Sequence, residues 1–352
     1  MDRKITMKDI AKATGLSVNA VSLALNDRKG VSESTRIEIM ETAQKLGYLD
    51  KRLRYLKTFG QHHICVLIQD IYNREHKNTG FYSEILYYII REARDRGYDT
   101  VVNYFNEQGM NIPDCIVKRQ VAGIIVLGKI STPNIEKLLA VNIHMVIVDH
   151  NPRMSNTNCI VTDNISGGYM AAKYLIRQGF TKIGYIGDFS YSKSVKERYY
   201  GFLEALVQEG LVCFEEAGEY IRRYSLLGEI EPYLMNNNVD AIKRILPGKA
   251  QLPQAYFCDN DAAAMIVMEA LKKDKIKIPK DISIIGFDNG ALAENCSPKL
   301  TTINVNQELM GQKAVRRLIQ LIDNENLEAE HTVLAVELVE RDSVRPLLRA
   351  GI

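Results

Sequence analysis

The hydrophobic and polar positions of this chain change rhythm near residue 62. Before it, apolar residues recur at helical spacing in short bursts. After it, they gather in unbroken runs that alternate with longer amphipathic stretches. The first burst, "TMKDIAKATG", predicts a helix opened by Thr6, with Asp9 completing a capping-box-like pair and Gly15 closing it. Ser17 caps a second helix after a tight turn. On its wheel Ala20, Val21, Ala24 and Leu25 share one face, and Val18, Asn19, Ser22, Leu23 and Asn26 share the other. After "DRKG", Ser32 caps a third helix with Glu33 at its positive end, and Gly47 stops it. Its apolar positions Ile37, Met40, Ala43 and Leu46 recur at threes. Helix, tight turn, helix and supporting helix make the helix-turn-helix arrangement, whose second helix enters the DNA major groove.

From His63 the runs "ICVLIQD", "DTVVNYF", "VAGIIVLG", "HMVIVDH", "KIGYIGD", "AYFCDND" and "ISIIGFD" read as strands. The stretches "FYSEILYYIIREARDRG", "GGYMAAKYLIRQG", "RYYGFLEALVQEG" and "AAAMIVMEALKK" read as helices between them. Apolar strands alternating with helices predict parallel sheets covered on both faces. The strands are too many for one compact sheet, so the fold class expected is an all-α head followed by a two-lobed α/β core with a ligand cleft between the lobes. Polar residues at the carboxyl ends of the strands point at that cleft: Asp70, Asp149, Asp188, Asn260, Asp261 and Asp288.

The net charge of +2 decides nothing, but its distribution does. Residues 1–60 hold 12 Lys/Arg against 7 Asp/Glu, whereas the rest holds 33 against 36. A basic head on a near-neutral body fits a phosphate-binding module. The six cysteines are scattered with no CxxC pair, which fits a reduced cytoplasm. The N-terminus shows no secretory signal, and no stretch reaches the roughly 20 apolar residues that would span a bilayer. No GxGxxG follows a strand, no GxxxxGK[ST] or GxSxG occurs, and the histidines lack metal spacing. The pattern therefore argues against an enzyme, and no cofactor or metal is expected.

The segment "ITMKDIAKATGLSVNAVSLALN…VSESTRIEIMETAQKLGY" closely resembles the DNA-binding head of the LacI/GalR family of bacterial repressors. "VTDNISGGYMAAKYLIRQGFTKIGYIG", "RYYGF", "CDNDAAAM", "IPKDISIIGFDN", "SPKLTTINVN" and "ERDSV" resemble the effector-binding core of the same family. The resemblance implies a ligand-responsive DNA-binding repressor, with a core similar to periplasmic sugar-binding proteins. It implies a helix-turn-helix domain at 1–49 and a hinge at 50–60. One core lobe would take 61–161 and 304–333, the other 162–303 and 334–352. Carried over by position, Arg198 reaches a ligand hydroxyl or carboxylate with its planar fork. Asn260 and Asp288 hydrogen-bond ligand hydroxyls, and Asp149 is a further candidate. The same residues have structural alternatives. Asn260 or Asp261 fits the N-cap of the alanine-rich helix, Asp288 fits a turn with Asn289 and Gly290, and Asp163 and Asn164 fit a hinge between lobes. The loop "DIYNREHKNTGFYSE" departs from the family, being longer and lacking its proline turn; His76 lies in it.

The family's base-reading sites fall on Val18, Asn19 and Leu23, and Leu23 stands where relatives often carry arginine. Asn19 suits adenine, while Val18 and Leu23 can only contact thymine methyls or sugars; packing of Leu23 on a neighbouring loop is the alternative. Phosphate contacts are then expected from Thr6, Ser17, Ser22, Asn26, Lys29, Thr35 and Arg36. The linker "LDKRLRYLKTFG" also departs from the family pattern, with Arg54 at its alanine and Lys57 at its wedging leucine. Either Leu56 wedges the minor groove, or Arg54 and Lys57 read it through charge. The expected partners are a pseudo-palindromic double-stranded DNA operator, a sugar or sugar phosphate effector and a second copy of the chain in a homodimer, with no membrane. The alternative is a cytoplasmic sugar sensor whose head has weak DNA specificity.

Overall fold

The computed structural model describes residues 5–25, 30–46, 48, 62–69, 79–152, 156–188, 192–228, 230–324 and 327–345. Asn26, Lys29, Asp70, His76 and the hinge candidates Arg54, Leu56 and Lys57 lie outside the described residues. The head helices belong to one compact unit and the two sheets to another.

In the head, α1 (Met7–Thr14), α2 (Val18–Leu25) and α3 (Glu33–Lys45) appear where capping residues predict them. Thr6 is extended at the start of α1, and Gly15 closes it at a φ of 70°, a left-handed turn that favours glycine. Ile10, Ala11, Val21, Ala24, Ile39 and Ala43 form the small core. The buried stripe of α3 does not coincide with its threefold apolar repeat. Ile39 is fully buried, whereas Ile37 is 52% and Met40 39% exposed. A strict three-residue repeat falls 60° short of a full turn at each step, so it drifts off the packed face. The i, i+4 pair Ile39 and Ala43 stays on it.

In the core, strands β1 (His63–Gln69), β2 (Asp99–Phe105), β3 (Gly123–Leu127), β4 (His144–Val148) and β5 (Asn158–Thr162) build the first lobe. Strands β6 (Ile183–Gly187), β7 (Leu226–Leu227), β8 (Ala255–Cys258), β9 (Ser283–Asp288) and β10 (Thr301–Asn304) build the second. Two late strands, β11 (His331–Leu334) and β12 (Glu337–Val339), go one to each lobe. The sheet orders are β11-β5-β4-β3-β1-β2 and β12-β10-β9-β8-β6-β7. The chain therefore passes between sheets after β5, after β10 and after β11. β12 joins β10 antiparallel, while β6, β8, β9 and β10 pair in parallel. Such strands are buried on both faces, which is why they read as unbroken apolar runs: β3 and β8 are buried at every position.

Helices α4 (Thr79–Asp95) and α8 (Gln307–Asp323) pack together on the first lobe. Helices α5 (Asn164–Arg177) and α6 (Lys193–Gln208) pack on the second, and α7 (Asp261–Lys273) follows β8. The α5–α6 contact is very close. A Cβ added to Gly168 would lie 1.9 Å from the Arg198 carbonyl oxygen, and one on Gly201 1.9 Å from that of Ile165. Only two backbones without side chains at the crossing approach this far, and the approach fixes where α6 carries Arg198.

Candidate functional site

The head presents a cleanly divided second helix. Val21 and Ala24 are buried, while Val18 (41% exposed) and Asn19 face outward. Ser22 and Leu23 are half-buried. Leu23 lies against the following loop, since a Cβ on Gly30 would come within 3.1 Å of its Cδ1. Ser17 Oγ accepts from the Ala20 amide at 3.1 Å, satisfying one of the amides left free at the helix start. The Asp9 carboxylate accepts from both the amide and the hydroxyl of Thr6, each at 2.8 Å. Ser32 Oγ accepts from the Thr35 amide at 3.2 Å, and the two hydroxyls lie 2.7 Å apart. Arg36 Nη1 donates to the Ala24 carbonyl at 3.1 Å, a bond from α3 to the last turn of α2. Of the phosphate candidates, Thr6, Ser17, Thr35 and Arg36 thus also hold the helix ends.

In the core, the carboxyl ends of both sheets supply one charged cluster. Arg198, 5% exposed, projects from α6 and lies over the Phe287 ring, with its guanidinium carbon 3.8 Å from the centroid. Its Nε donates to Asn164 Oδ1 at 3.0 Å, and its Nη1 to the Asp259 carbonyl at 2.6 Å. Its Nη2 lies 3.4 Å from Asp288 Oδ1, an ion-pair contact without hydrogen-bond geometry. Asp288 ends β9 at a φ of 108°, and Asp149 follows β4 at a φ of 59°. Both are positive-φ, non-glycine positions of the kind that cluster where a fold holds a functional group. Asp149 Oδ2 accepts from the Tyr82 hydroxyl at 2.8 Å, a bond within the first lobe.

Burial pushes the Asp288 carboxyl well above the ordinary carboxylate range; Arg198 pulls it back, and Asp261, Asp149 and Asp259 repel it further. Burial likewise raises Asp149, against the pull of Arg198 and the Tyr82 hydroxyl. Asp259 is raised by the same burial, again opposed by Arg198. The arginine is therefore a common counter-charge of these three acids and of Asp261, drawn from both lobes. Beside it runs a cavity of about 230 Å³, lined on one side by Asp149, Asn151 and Thr162 and on the other by Lys193, Ser194 and Glu197.

Asn260 is the N-cap of α7, its Oδ1 accepting from the Ala263 amide at 2.8 Å, so that oxygen is committed to the helix. Asp261 Oδ1 accepts from the Thr302 hydroxyl at 2.6 Å and its Oδ2 from the Gly290 amide at 2.9 Å. Asp163 caps α5 through the Ser166 amide. Two members of the cluster escaped the strand-end reading. Asn164 looks like hinge material, yet it orients Arg198. Asp259 lies inside "CDND", one residue before the cap, and that strand-end position was the only signal for it.

Comparison with known proteins agrees with this architecture. Residues 6–50 match the family model described as bacterial regulatory proteins, lacI family, and residues 172–344 match a periplasmic binding protein-like domain. The transcriptional repressor PurR of Glaesserella parasuis is 31% identical over 353 residues, covering 97% of this chain and 99% of the relative. The PurR of Vibrio cholerae is 29% identical over 351 residues, with 98% and 99% covered. Among solved structures, the lac repressor dimer bound to operator and the anti-inducer ONPF superposes with a TM-score of 0.65 at 21% identity, covering 97% of this chain and 99% of that one. A LacI family regulator from Enterococcus faecium with bound ribose gives 0.65 at 23%, covering 81% and 99%. Kinship over nearly the full length, added to the helix-turn-helix head and the two-sheet core, leads to one conclusion: this chain belongs to the lacI family of bacterial regulatory proteins and is a DNA-binding transcription regulator.

Proposed function

We propose that the chain is a cytoplasmic repressor, without catalytic activity, whose operator affinity is set by a small sugar-like effector bound between the core lobes. One observation carries this reading: Arg198 of the second lobe neutralises acids from both lobes, Asp288 and Asp149. A ligand seated on that arginine exchanges contacts with both lobes at once, so its binding free energy is coupled to their closure. The lobes are 61–161 with 304–333 and 162–303 with 334–352, behind a head at 1–49 and a hinge at 50–60. Arg198, Asp149 and Asp288 hold the effector; Asn260 joins them through its amide nitrogen, its oxygen being the helix cap.

Two copies on a two-fold axis bind a pseudo-palindrome with half-sites about one helical turn apart. Val18, Asn19 and Leu23 face the bases, and Thr6, Ser17, Ser22, Thr35 and Arg36 are the described residues offered to phosphates. Asn26 and Lys29 join them, and Leu56, Arg54 and Lys57 serve the minor groove, on the pattern of the sequence. No helix among the described residues is long and apolar enough to cross a membrane. The Enterococcus faecium regulator with bound ribose supports a sugar-like effector.

The test is a randomised-site selection with the full chain, followed by fluorescence anisotropy on the selected operator with and without sugars. A palindromic site whose affinity changes with a sugar, and no longer does so in Arg198→Ala, is the expected result. An operator response to sugar that survives intact in Arg198→Ala would remove the effector from this site.

A further inference from the structure

The first lobe holds a second cavity, of about 370 Å³, at the end opposite the charged cluster. Three parts of the chain wall it: the end of the helix Thr132–Leu139 with the start of β4, the start of β5, and the end of α8 with the segment leading into β11. His144 opens β4 at this cavity, and Asp149 follows the strand's other end. The length of β4, roughly 17 Å, therefore separates it from the strand-end cleft.

Asn158 is the informative residue. It is 8% exposed and lines the cavity. Its Oδ1 accepts from Arg317 Nε at 2.7 Å and from the Glu330 amide at 3.0 Å. The two donors hold the oxygen, which leaves the amide nitrogen for the cavity, and no acceptor among the described residues meets it. Folds rarely leave the donor of so buried a side chain unpaired, and a carbonyl oxygen in the cavity would pair this one.

The remaining wall sets the character of a ligand. Asn142, His144 and Asn156 add side chains that both donate and accept, and Leu321 and Leu327 add apolar surface. Among the described residues no Asp, Glu, Lys or Arg lines the cavity. Arg317, behind Asn158, is already engaged: its Nη1 lies 3.4 Å from Glu330 Oε2, and its Nη2 donates to the Glu328 carbonyl. A charged ligand would lose its hydration here and gain no counter-charge. A neutral amide, with carbonyl and N–H side by side, finds both complementary groups.

We propose that this cavity is a second ligand site, and that it takes a small neutral compound bearing an amide or lactam, whose carbonyl oxygen accepts from the Asn158 amide nitrogen. Its volume falls within the span of small-molecule sites. It shares no lining residue with the cavity beside Arg198, so its ligand and the effector occupy separate places.

Calorimetric titration of the full chain with uracil and nicotinamide, each beside its carboxylate counterpart orotate or nicotinate, tests the proposal. At least one neutral probe should bind, with its acid weaker by about tenfold or more, because the wrong group leaves the buried donor or its own charge uncompensated. Asn158→Asp keeps the shape and the acceptor that Arg317 and the Glu330 amide use, and turns the donor into an acceptor. It should weaken the neutral probe by about tenfold or more while the melting temperature of the ligand-free protein holds. Asn156→Ala, at an exposed position, should weaken the probe as well. No binding by either neutral probe, a carboxylate as tight as its amide, or unchanged affinity in Asn158→Asp overturns the proposal. Should Asn158→Asp lower the melting temperature together with affinity, Asn156→Ala decides, and unchanged affinity in that variant removes the ligand from this cavity.

Discussion

Arg36 donates from Nη1 to the carbonyl oxygen of Ala24 at 3.1 Å, which ties α3 to the last turn of α2. That turn has no basic residue of its own, so Arg36 supplies from outside the cation that a helix C-terminus favours. Its sequence position marks it equally as a phosphate contact, and the two roles separate experimentally. Arg36→Ala should cost the head about 1 kcal/mol of stability and weaken operator binding through misplacement of α2. Because Arg36 is also offered to a phosphate, the slope of log K against log salt should fall by about one unit; an unchanged slope would leave it the helix contact alone.

Leu23 rests against Gly30 with its outer face on the base-reading side of α2. Having no hydrogen-bonding atom, it forgoes the roughly 1–3 kcal/mol of guanine discrimination that an arginine fork supplies. The operator half-site should therefore lack a strongly selected guanine opposite it, and Asn19 should carry the strongest preference, for adenine. Leu23→Arg should draw guanine into sites selected from a random pool. Strong guanine enrichment with the natural leucine, unmoved by the substitution, would mean that α2 docks in another orientation.

What the sequence discloses and what it hides follow a physical division. The caps at Thr6, Ser17 and Ser32 are local, since a side chain reaches an amide two or three residues away, and all three stand where the sequence puts them. The core strands are legible because a strand covered on both faces must be apolar throughout. The buried face of α3 does not follow from its apolar positions alone, because Ile37 and Met40 satisfy a threefold count but not the 3.6-residue turn. The partners of Arg198 were beyond any local rule. Asn164 and Asp259 lie 34 and 61 residues from it; the crossing of α5 and α6 brings up the first, and the carboxyl end of β8 the second.

Stability should fall with rising pH across a window set by Asp261. Burial pushes its carboxyl up to about 7, opposed by the Thr302 hydroxyl, the Gly290 amide, Arg341 and Arg198. In the unfolded chain it ionises near the ordinary value of about 3.9. Between those limits the folded protein holds a proton that the unfolded chain has released. This contribution is fully present below about pH 4 and lost as pH rises through about 7. The raised Asp149 and Asp288 act in the same direction. Glu92, held low by Arg316 and Arg96, acts oppositely and only on stronger acidification. Urea midpoints of the full chain should be higher at pH 5 than at pH 8, with the gap reduced in Asp261→Asn. A midpoint climbing steadily between those pH values would mean that this acid ionises normally in the fold.

The crossing of α5 and α6 offers the sharpest mechanical prediction. Gly168→Ala puts a Cβ within 1.9 Å of the Arg198 carbonyl oxygen, which is backbone and cannot turn aside. The helices must separate, at a cost of about 1–3 kcal/mol or more, and Arg198 moves with α6 away from Asn164. Gly218→Ala is the control. It is also in a helix, but the nearest atom is the flexible Arg222 Nη1 at 3.8 Å, so the change should be neutral or stabilising by about 0.5–1 kcal/mol. Gly201→Ala strikes the same crossing from the other side, 1.9 Å from the Ile165 carbonyl oxygen. Once one substitution has parted the helices, the second finds space already made. The double variant should therefore lose less than the sum of the single losses, a coupling expected of residues that share one contact. Chemical denaturation of the parent chain and the four variants measures all of this. Strict additivity, or a Gly168→Ala variant as stable as the Gly218→Ala control, would mean that the crossing yields without strain and does not hold Arg198 in place.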